Sequence, residues 1–483
     1  MNGMRHGPID VPDWVQDAVF YQIFPDRFAR SDRVAKPTGL EPWSDPPSVH
    51  GYKGGDLLGV VERLDHLAGL GVTAIYLNPV FQSASNHRYH THDFHRVDPI
   101  LGGDDALREL LDVAHERGMR VVLDGVFNHA SRGFLQFNDI LENGEQSAYL
   151  DWFRVHRFPL DPFGGGEPGY DAWWNLPALP KLNTATPAVR EFLWGVGERW
   201  LAFGADGWRL DVPNEIDDDA FWREFRRRCR AVDPSCYLVG EIWGDAGRWL
   251  AGDQFDAVMN YPLARAIYGF VGRGFADDEV ARSGLKRLTQ LDAPGFAEAL
   301  TGLLERYPRA IVHAQLNLLD SHDTPRARTI LRGDVGALRL AYLLLFTLPG
   351  APCIYYGDEI GLEGGHDPGC RNAMPWSDEA SWDRSLLDWL GRLAAVRREL
   401  AALRRGDTAV LAAEGEVLVF SRGRGPEAVV VVVNAGSTAA AVPSVAGLGG
   451  RFREWTEGSE LELGEGRTTI PARAGWVLSA AGS

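Results

Sequence analysis

Cysteine is scarce in this chain of 483 residues, and the four present, Cys229, Cys236, Cys353 and Cys370, have neither CxxC spacing nor the density of a disulfide scaffold. Reduced, structural thiols are expected. Long apolar runs are missing as well. The one extended stretch, Val335 to Tyr356, holds Arg339, Pro349, Gly350 and Pro352 inside a bilayer-length window, so it reads as a buried helix followed by a strand. No compact Lys/Arg run offsets a formal charge of -17 and a pI near 5.2, which excludes nucleic acid and anionic membrane surfaces as partners and favours neutral ones. Met1–Pro12 has no apolar core of signal-peptide length, and a cytoplasmic protein is expected.

Eight short runs rich in Val, Ile and Tyr recur along the chain: Ala18–Pro25, Thr73–Val80, Arg120–Phe127, Gly207–Val212, Cys236–Ile242, Ala257–Pro262, His313–Asp320 and Ala351–Glu359. Between them Asp56–Leu70, Asp104–Arg117, Pro187–Phe203, Asp218–Val232, Asp334–Thr347 and Ser385–Leu400 carry apolar residues at helical intervals, several opened by a capping Asp or Ser. Strands buried on both faces and alternating with helices predict an α/β fold, a (β/α)8 barrel. The barrel is assigned to residues 1–129 and 184–405. A Gly-, Pro- and Trp-rich insertion at 130–183 is too long for a strand-to-helix loop and is expected over the carboxyl face of the barrel. Residues 406–483 read as a C-terminal all-β domain, an antiparallel β-sandwich, from the runs Gly415–Ser421, Glu427–Asn434, Arg451–Thr456 and Ala474–Ala480.

Asp124, Asp211, Glu241 and Asp323 each fall at or just past the end of a predicted strand, and in a barrel those ends converge on one bowl. One strand-terminal Asp is more often a cap; four, beside Arg209, His129 and His322, point to chemistry. Retaining hydrolysis of a glycoside needs one carboxylate to attack the anomeric carbon and one protonated carboxyl for the leaving oxygen. Asp211 and Glu241, on neighbouring strands, supply that pair. Arg209, two residues before Asp211 on the same strand face, holds it ionised, whereas the apolar flank of Glu241 raises its pKa. Asp206, Asp320, Asp358 and Glu359 are explained by caps and internal hydrogen bonds. His90, His92 and His95 read as a loop lining the cleft, and no metal is expected there.

Four blocks, Asp124-Gly-Val-Phe-Asn-His129, Gly207-Trp-Arg-Leu-Asp-Val-Pro-Asn-Glu215, Gly240-Glu-Ile-Trp243 and Leu319-Asp-Ser-His-Asp323, resemble the α-amylase family, glycoside hydrolase family 13, over nearly the whole chain. The resemblance implies Asp211 as nucleophile, Glu241 as general acid/base and Asp323 as transition-state stabiliser. It also implies sugar contacts at His87, Tyr89, Asp124, His129, Arg209 and His322. Leu179-Pro-Lys-Leu-Asn183 and Val212-Pro-Asn-Glu215 resemble the neopullulanase, cyclomaltodextrinase and maltogenic amylase branch. Glu215 is read either as a further sugar contact or as a helix-start acid. The implied activity is hydrolysis of α-1,4 linkages, with α-1,6 linkages as a further candidate, in starch-type glucans, maltooligosaccharides or cyclodextrins. Alternatives using the same carboxylates are a glucosyl-transferring or isomerising enzyme of the trehalose synthase or sucrose isomerase type; a non-catalytic carbohydrate-binding barrel is more remote. About a dozen residues precede the barrel where that branch carries a dimer-forming β domain, so a monomer is expected. That branch's calcium near the first barrel loop would use Asp32 and Gly54-Gly-Asp56, but Arg30, Ala35 and Lys36 stand where other oxygen ligands would fall. No cofactor is therefore expected.

Overall fold

The computed structural model describes residues 9–464 and 468–481; residues 1–8 of the stretch Met1–Pro12 and residues 465–467 and 482–483 of the expected C-terminal domain lie outside the described residues. Eight parallel strands build one sheet: β1 (Phe20–Ile23), β2 (Ala74–Leu77), β3 (Arg120–Gly125), β4 (Gly207–Leu210), β5 (Tyr237–Gly240), β6 (Ala257–Val258), β7 (Leu316–Leu318) and β8 (Ala351–Tyr355). Their spatial order is β6-β5-β4-β3-β2-β1-β8-β7. A parallel bridge from Met259 to Leu316 joins the two edges, with Asn260 N–H donating to the Leu316 carbonyl at 2.8 Å, and the sheet closes into a barrel.

Every strand residue except Arg120 is buried, which is why the strands read as unbroken apolar runs. Polar residues inside them, Gln22, Tyr76, Asp124, Arg209 and Asn317, therefore need partners within the barrel. The helices between the strands begin as the sequence predicts at several points. Asp56, Asp218, Asp334 and Asp383 accept hydrogen bonds from Gly59, Phe221, Ala337 and Leu386 N–H, satisfying orphan donors of the first turn. Helices absent from the sequence expectation include Tyr261–Val271 and Ala293–Glu305. The expected strand Ala257–Pro262 ran over the first two residues of Tyr261–Val271, which is nearly all buried. The stretch Val335–Tyr356 is a buried helix, Val335–Thr347, followed by β8, and among the described residues no helix is long and apolar enough to cross a membrane. All four cysteines are free and buried.

The segment after β3 is tied down by isolated antiparallel bridges, His129 with Lys181, Phe153 with Leu182, Val155 with Tyr170 and Ala172 with Pro180. Its Phe134, Phe137, Phe153 and Tyr170 are linked by ring contacts and, with Ile140, belong to the main apolar core. The C-terminal part is a six-stranded antiparallel sheet with a two-stranded ladder, Ala440–Ala441 with Thr469–Ile470, beside it. Alternation sorts its strands: Val417, Val419, Val430 and Val432 face Ile470 and Val442 in a small core, whereas Leu418, Phe420, Val431 and Val433 join the main core. The last helix, Ala401–Arg405, ends at Gly406, and the strand Thr408–Glu414, not among the expected runs, pairs with Val417–Arg422.

Candidate active site

The carboxyl ends of β3, β4 and β5 bring Asp124, Asp211 and Glu241 around Arg209, which is fully buried. Arg209 Nη1 hydrogen-bonds Asp124 Oδ1 and Asp211 Oδ1, both at 3.0 Å. Its Nη2 lies 2.8 Å from Glu241 Oε2 but makes no directed hydrogen bond there. The guanidinium thus donates along its N–H bonds to Asp124 and Asp211 and meets Glu241 through its charge, which favours the ionised form of all three. Oδ2 of Asp211 is enclosed and has no hydrogen-bond partner among the described residues.

Burial raises all three carboxyls. Asp124 is pushed up to about 6 by desolvation against the pull of Arg209 and the hydroxyls of Tyr76 and Tyr89. Asp211 rises well above the usual carboxylate range through burial, opposed by Arg209 and reinforced by Glu241, Asp124 and Asp323. Glu241 rises through burial too, opposed by Arg209 and reinforced by Asp323. Several anions around one cation in a dry bowl raise one another, and Arg209 opposes that rise at each of them.

Glu241 follows β5, where its N–H donates to the Leu210 carbonyl at 2.9 Å. Its two oxygens accept from Trp243 Nε1 (3.0 Å) and Val212 N–H (3.3 Å). Val212, next to Asp211, has φ 34° and ψ 50°, a left-handed conformation unfavourable for a β-branched residue. That strained turn is what aims the Val212 N–H at Glu241, in keeping with strain stored at functional positions. Trp243 stacks on Tyr261 at 3.5 Å and 7°, Tyr261 reaches the Ser321 hydroxyl at 3.2 Å, and Ser321 Oγ accepts the Asp323 N–H at 3.2 Å. One chain of contacts therefore orients both Glu241 and Asp323.

The imidazole of His322 links the opposite wall. Gln22 Nε2 (2.9 Å) and Asn78 Nδ2 (3.1 Å) both meet Nδ1, so Nδ1 accepts and the proton sits on Nε2, which faces Tyr89 Oη at 2.6 Å and Asp323 Oδ2 at 3.2 Å. Tyr89 Oη then donates to Asp124 Oδ2 at 2.9 Å, and its ring lies parallel to His322 at 5.4 Å. Burial, with Arg371 and Arg209 nearby, holds His322 well below the usual imidazole range, hence neutral. His87 is likewise lowered by burial and Arg371, and its Nδ1 accepts the Tyr89 N–H at 3.2 Å. His129, lowered to about 3 by burial, stacks on Trp173 at 5.1 Å. Glu215 lies apart from these carboxylates, on the wall beyond Asp211, and pairs with Lys181 at 3.0 Å.

Several partners escaped sequence reasoning. Gln22, Tyr76 and Asn78 do so although a polar residue in an apolar strand was a usable signal. Arg371, whose Nε donates to the His322 carbonyl at 2.9 Å and whose Nη2 lies 3.4 Å from Asp323 Oδ1, sits in the loop after β8 and carries no such mark. Of the acids read as internal, Asp206 accepts from Val121 N–H, Asp320 from Ala327 N–H, Asp358 pairs with Arg326, and Glu359 accepts from Tyr21. In the first barrel loop the Lys36 ammonium lies 2.6 Å from Asp56 Oδ2, the Asp56 carboxylate also accepts Ser31 N–H (2.8 Å) and Gly59 N–H (2.7 Å), and Arg30 Nε donates to the Lys53 carbonyl.

Residues 22–390 match the family model described as alpha amylase, catalytic domain. The chain is 47% identical over 436 residues to the cyclomaltodextrinase of Geobacillus thermopakistaniensis, covering 89% of this chain and 71% of that relative. Among solved structures, the debranching enzyme of Nostoc punctiforme is 46% identical with a TM-score of 0.88, covering 98% of this chain and 100% of that one. The cyclic α-maltosyl-(1→6)-maltose hydrolase of Arthrobacter globiformis is 37% identical with a TM-score of 0.87, covering 97% and 100%. With a parallel eight-stranded barrel, acids at its strand ends and a family match across most of its length, the chain belongs to the α-amylase family of glycoside hydrolases.

Proposed function

We propose that the protein hydrolyses α-1,4 and also α-1,6 glucosidic bonds of starch-type glucans, maltooligosaccharides or cyclodextrins by double displacement with retention. The observation that carries this is the convergence of two buried carboxyls, Asp211 and Glu241, from neighbouring strand ends on one guanidinium, Arg209. Asp211 Oδ2 attacks the anomeric carbon while Glu241 gives its proton to the departing oxygen, which breaks the glycosidic bond and leaves a glycosyl ester. Glu241 then takes a proton from water, the water oxygen attacks the same carbon, and Asp211 leaves as carboxylate. Asp323, with His322, Tyr89, His87, Asp124 and His129 around it, binds the ring as charge develops. Arg209 orients the nucleophile, and Glu215 contacts the sugar beyond the cleaved bond. Similarity to a cyclomaltodextrinase, a debranching enzyme and a cyclic α-maltosyl-(1→6)-maltose hydrolase supports a glucan substrate with either linkage.

Asp211→Asn is expected to abolish turnover of every substrate, whereas Glu241→Gln keeps activity on an aryl glucoside whose leaving group needs no proton. Proton NMR of the first product identifies the anomer; a β-anomer at early times would overturn the mechanism.

No calcium requirement is proposed. An ammonium 2.6 Å from Asp56 stands where a cation would be held, and the loop lacks the 6–8 oxygens that calcium takes. The barrel-to-insertion site of amylases fares similarly, because Glu215 is engaged by Lys181. We also read the protein as a cytoplasmic monomer. Outside residues 130–183 the exposed large apolar side chains among the described residues are Val49, Val232 and Leu411, scattered singly and too few for an obligate interface.

A further inference from the structure

The geometry points to a second sugar platform, the ring pair Trp173–Trp174, which takes a glucosyl unit of the same glucan away from the cleaved bond; it rests on the glucan reading above. The imidazole of His129, completely buried in the wall of the bowl, lies parallel to the Trp173 ring at 5.1 Å and 10°. Trp173 in turn lies parallel to Trp174 at 4.4 Å and 14°. Three near-parallel planes thus lead from the catalytic wall to solvent, where Trp174 is 75% exposed. An exposed indole face is a flat apolar surface of the size of a pyranose ring, whose axial C–H bonds form a matching apolar face.

The backbone holds this ring outward. Trp174 (φ 52°, ψ 25°) and Asn175 (φ 56°) are consecutive left-handed residues without glycine, a conformation that persists only where surrounding contacts enforce it. Those contacts are present: Trp173 N–H donates to Leu179 O at 2.9 Å, Asn175 N–H to Ala172 O at 3.1 Å, and Tyr170 Oη to Pro177 O at 2.6 Å. The indole is therefore presented by a fixed turn, which reduces the ordering cost of binding. Two enclosed polar atoms of the stack, His129 Nε2 and Trp173 Nε1, have no hydrogen-bond partner among the described residues, as expected where hydroxyls of a ligand are to be met. The same segment carries the exposed side chains Leu135, Phe163 and Leu176, so the exposed large apolar side chains among the described residues are concentrated in it.

The occupant is fixed by continuity and charge. The stack starts at His129, whose backbone pairs with Lys181, and Lys181 bridges to Glu215 just after the nucleophile, so the platform and the leaving-side wall are one piece. A neutral polyhydroxylated chain that enters the bowl passes it, and a net charge of -17 disfavours anionic ligands.

The test uses calorimetric binding of maltoheptaose and of maltose by the full-length Asp211→Asn protein, with and without Trp174→Ala or Trp174→Phe. Removing the ring is expected to weaken maltoheptaose about tenfold and maltose much less, with Phe recovering most of the loss. In the active enzyme, the kcat/KM ratio of maltoheptaose to maltotriose falls by about the same factor in Trp174→Ala. Unchanged maltoheptaose affinity, an equal loss for both sugars, or a Phe variant as weak as Ala overturns the platform. Hydrolysis persisting in Asp211→Asn faults the catalytic assignment instead, because the calorimetry reads binding alone.

Discussion

Trp243→Phe tests how the acid is tuned. The substitution removes the N–H that reaches Glu241 Oε1 at 3.0 Å and keeps an aromatic ring against Tyr261, where the stack is 3.5 Å. A hydrogen bond to a charged acceptor contributes about 1.5–3 kcal/mol and one to a neutral acceptor about 0.5–1.5 kcal/mol, so the ionised acid loses more than the protonated one. The difference, about 1–1.5 kcal/mol, corresponds to about one pH unit. Trp243 is half-buried, and water replaces part of the lost bond, which brings the expected rise in the Glu241 pKa to about 0.5–1 unit. The sign follows from the role. Glu241 must be protonated to act, its ionisation sets the alkaline limb of kcat/KM, and a higher pKa moves that limb to higher pH. The acid limb belongs to Asp211, whose bond from Arg209 is untouched, and stays in place. The assay is kcat/KM from about pH 4 to about pH 10 on an aryl maltoside with a poor leaving group, which reports the free enzyme. An alkaline limb that stays put or moves down, in a variant that melts like the parent, would refute this account of Trp243 as a positioning residue.

Three further outcomes concern the rest of the molecule. Lys36→Met strands the fully buried Asp56 carboxylate; because Ser31 and Gly59 N–H still serve it, the loss is expected at about 2–3 kcal/mol, seen as a lower Tm that calcium does not restore. Dialysis of the parent against EDTA leaves activity and Tm unchanged; a fall reversed by calcium alone would show that the loop has been misread. Light scattering is expected to give a mass near the 53.3 kDa of one chain, and twice that value would refute the monomer.

What the amino-acid sequence determined by itself was whatever depends on short range. Strands buried on both faces must be apolar throughout, so all eight barrel strands lie within runs visible in the sequence, and the acids at their ends follow from the same periodicity. The helix Tyr261–Val271 was hidden because the apolar run Ala257–Pro262 reads as one strand, whereas the strand stops at Val258 and the helix takes its last two residues. Tertiary structure alone decided who touches whom. His322 takes its tautomer from Gln22 and Asn78, about 300 and 244 positions away, and Arg371 meets Asp323 from a loop with no pattern of its own. It alone decided that Arg209 directs its hydrogen bonds to Asp211 and only its charge to Glu241, since residue type fixes the charge of a guanidinium but not the direction of its N–H bonds. Likewise, composition says only that Trp is abundant; closure of the barrel buries Trp200, Trp208 and Trp222 and leaves Trp174 in solvent, because burial is a property of the packed chain.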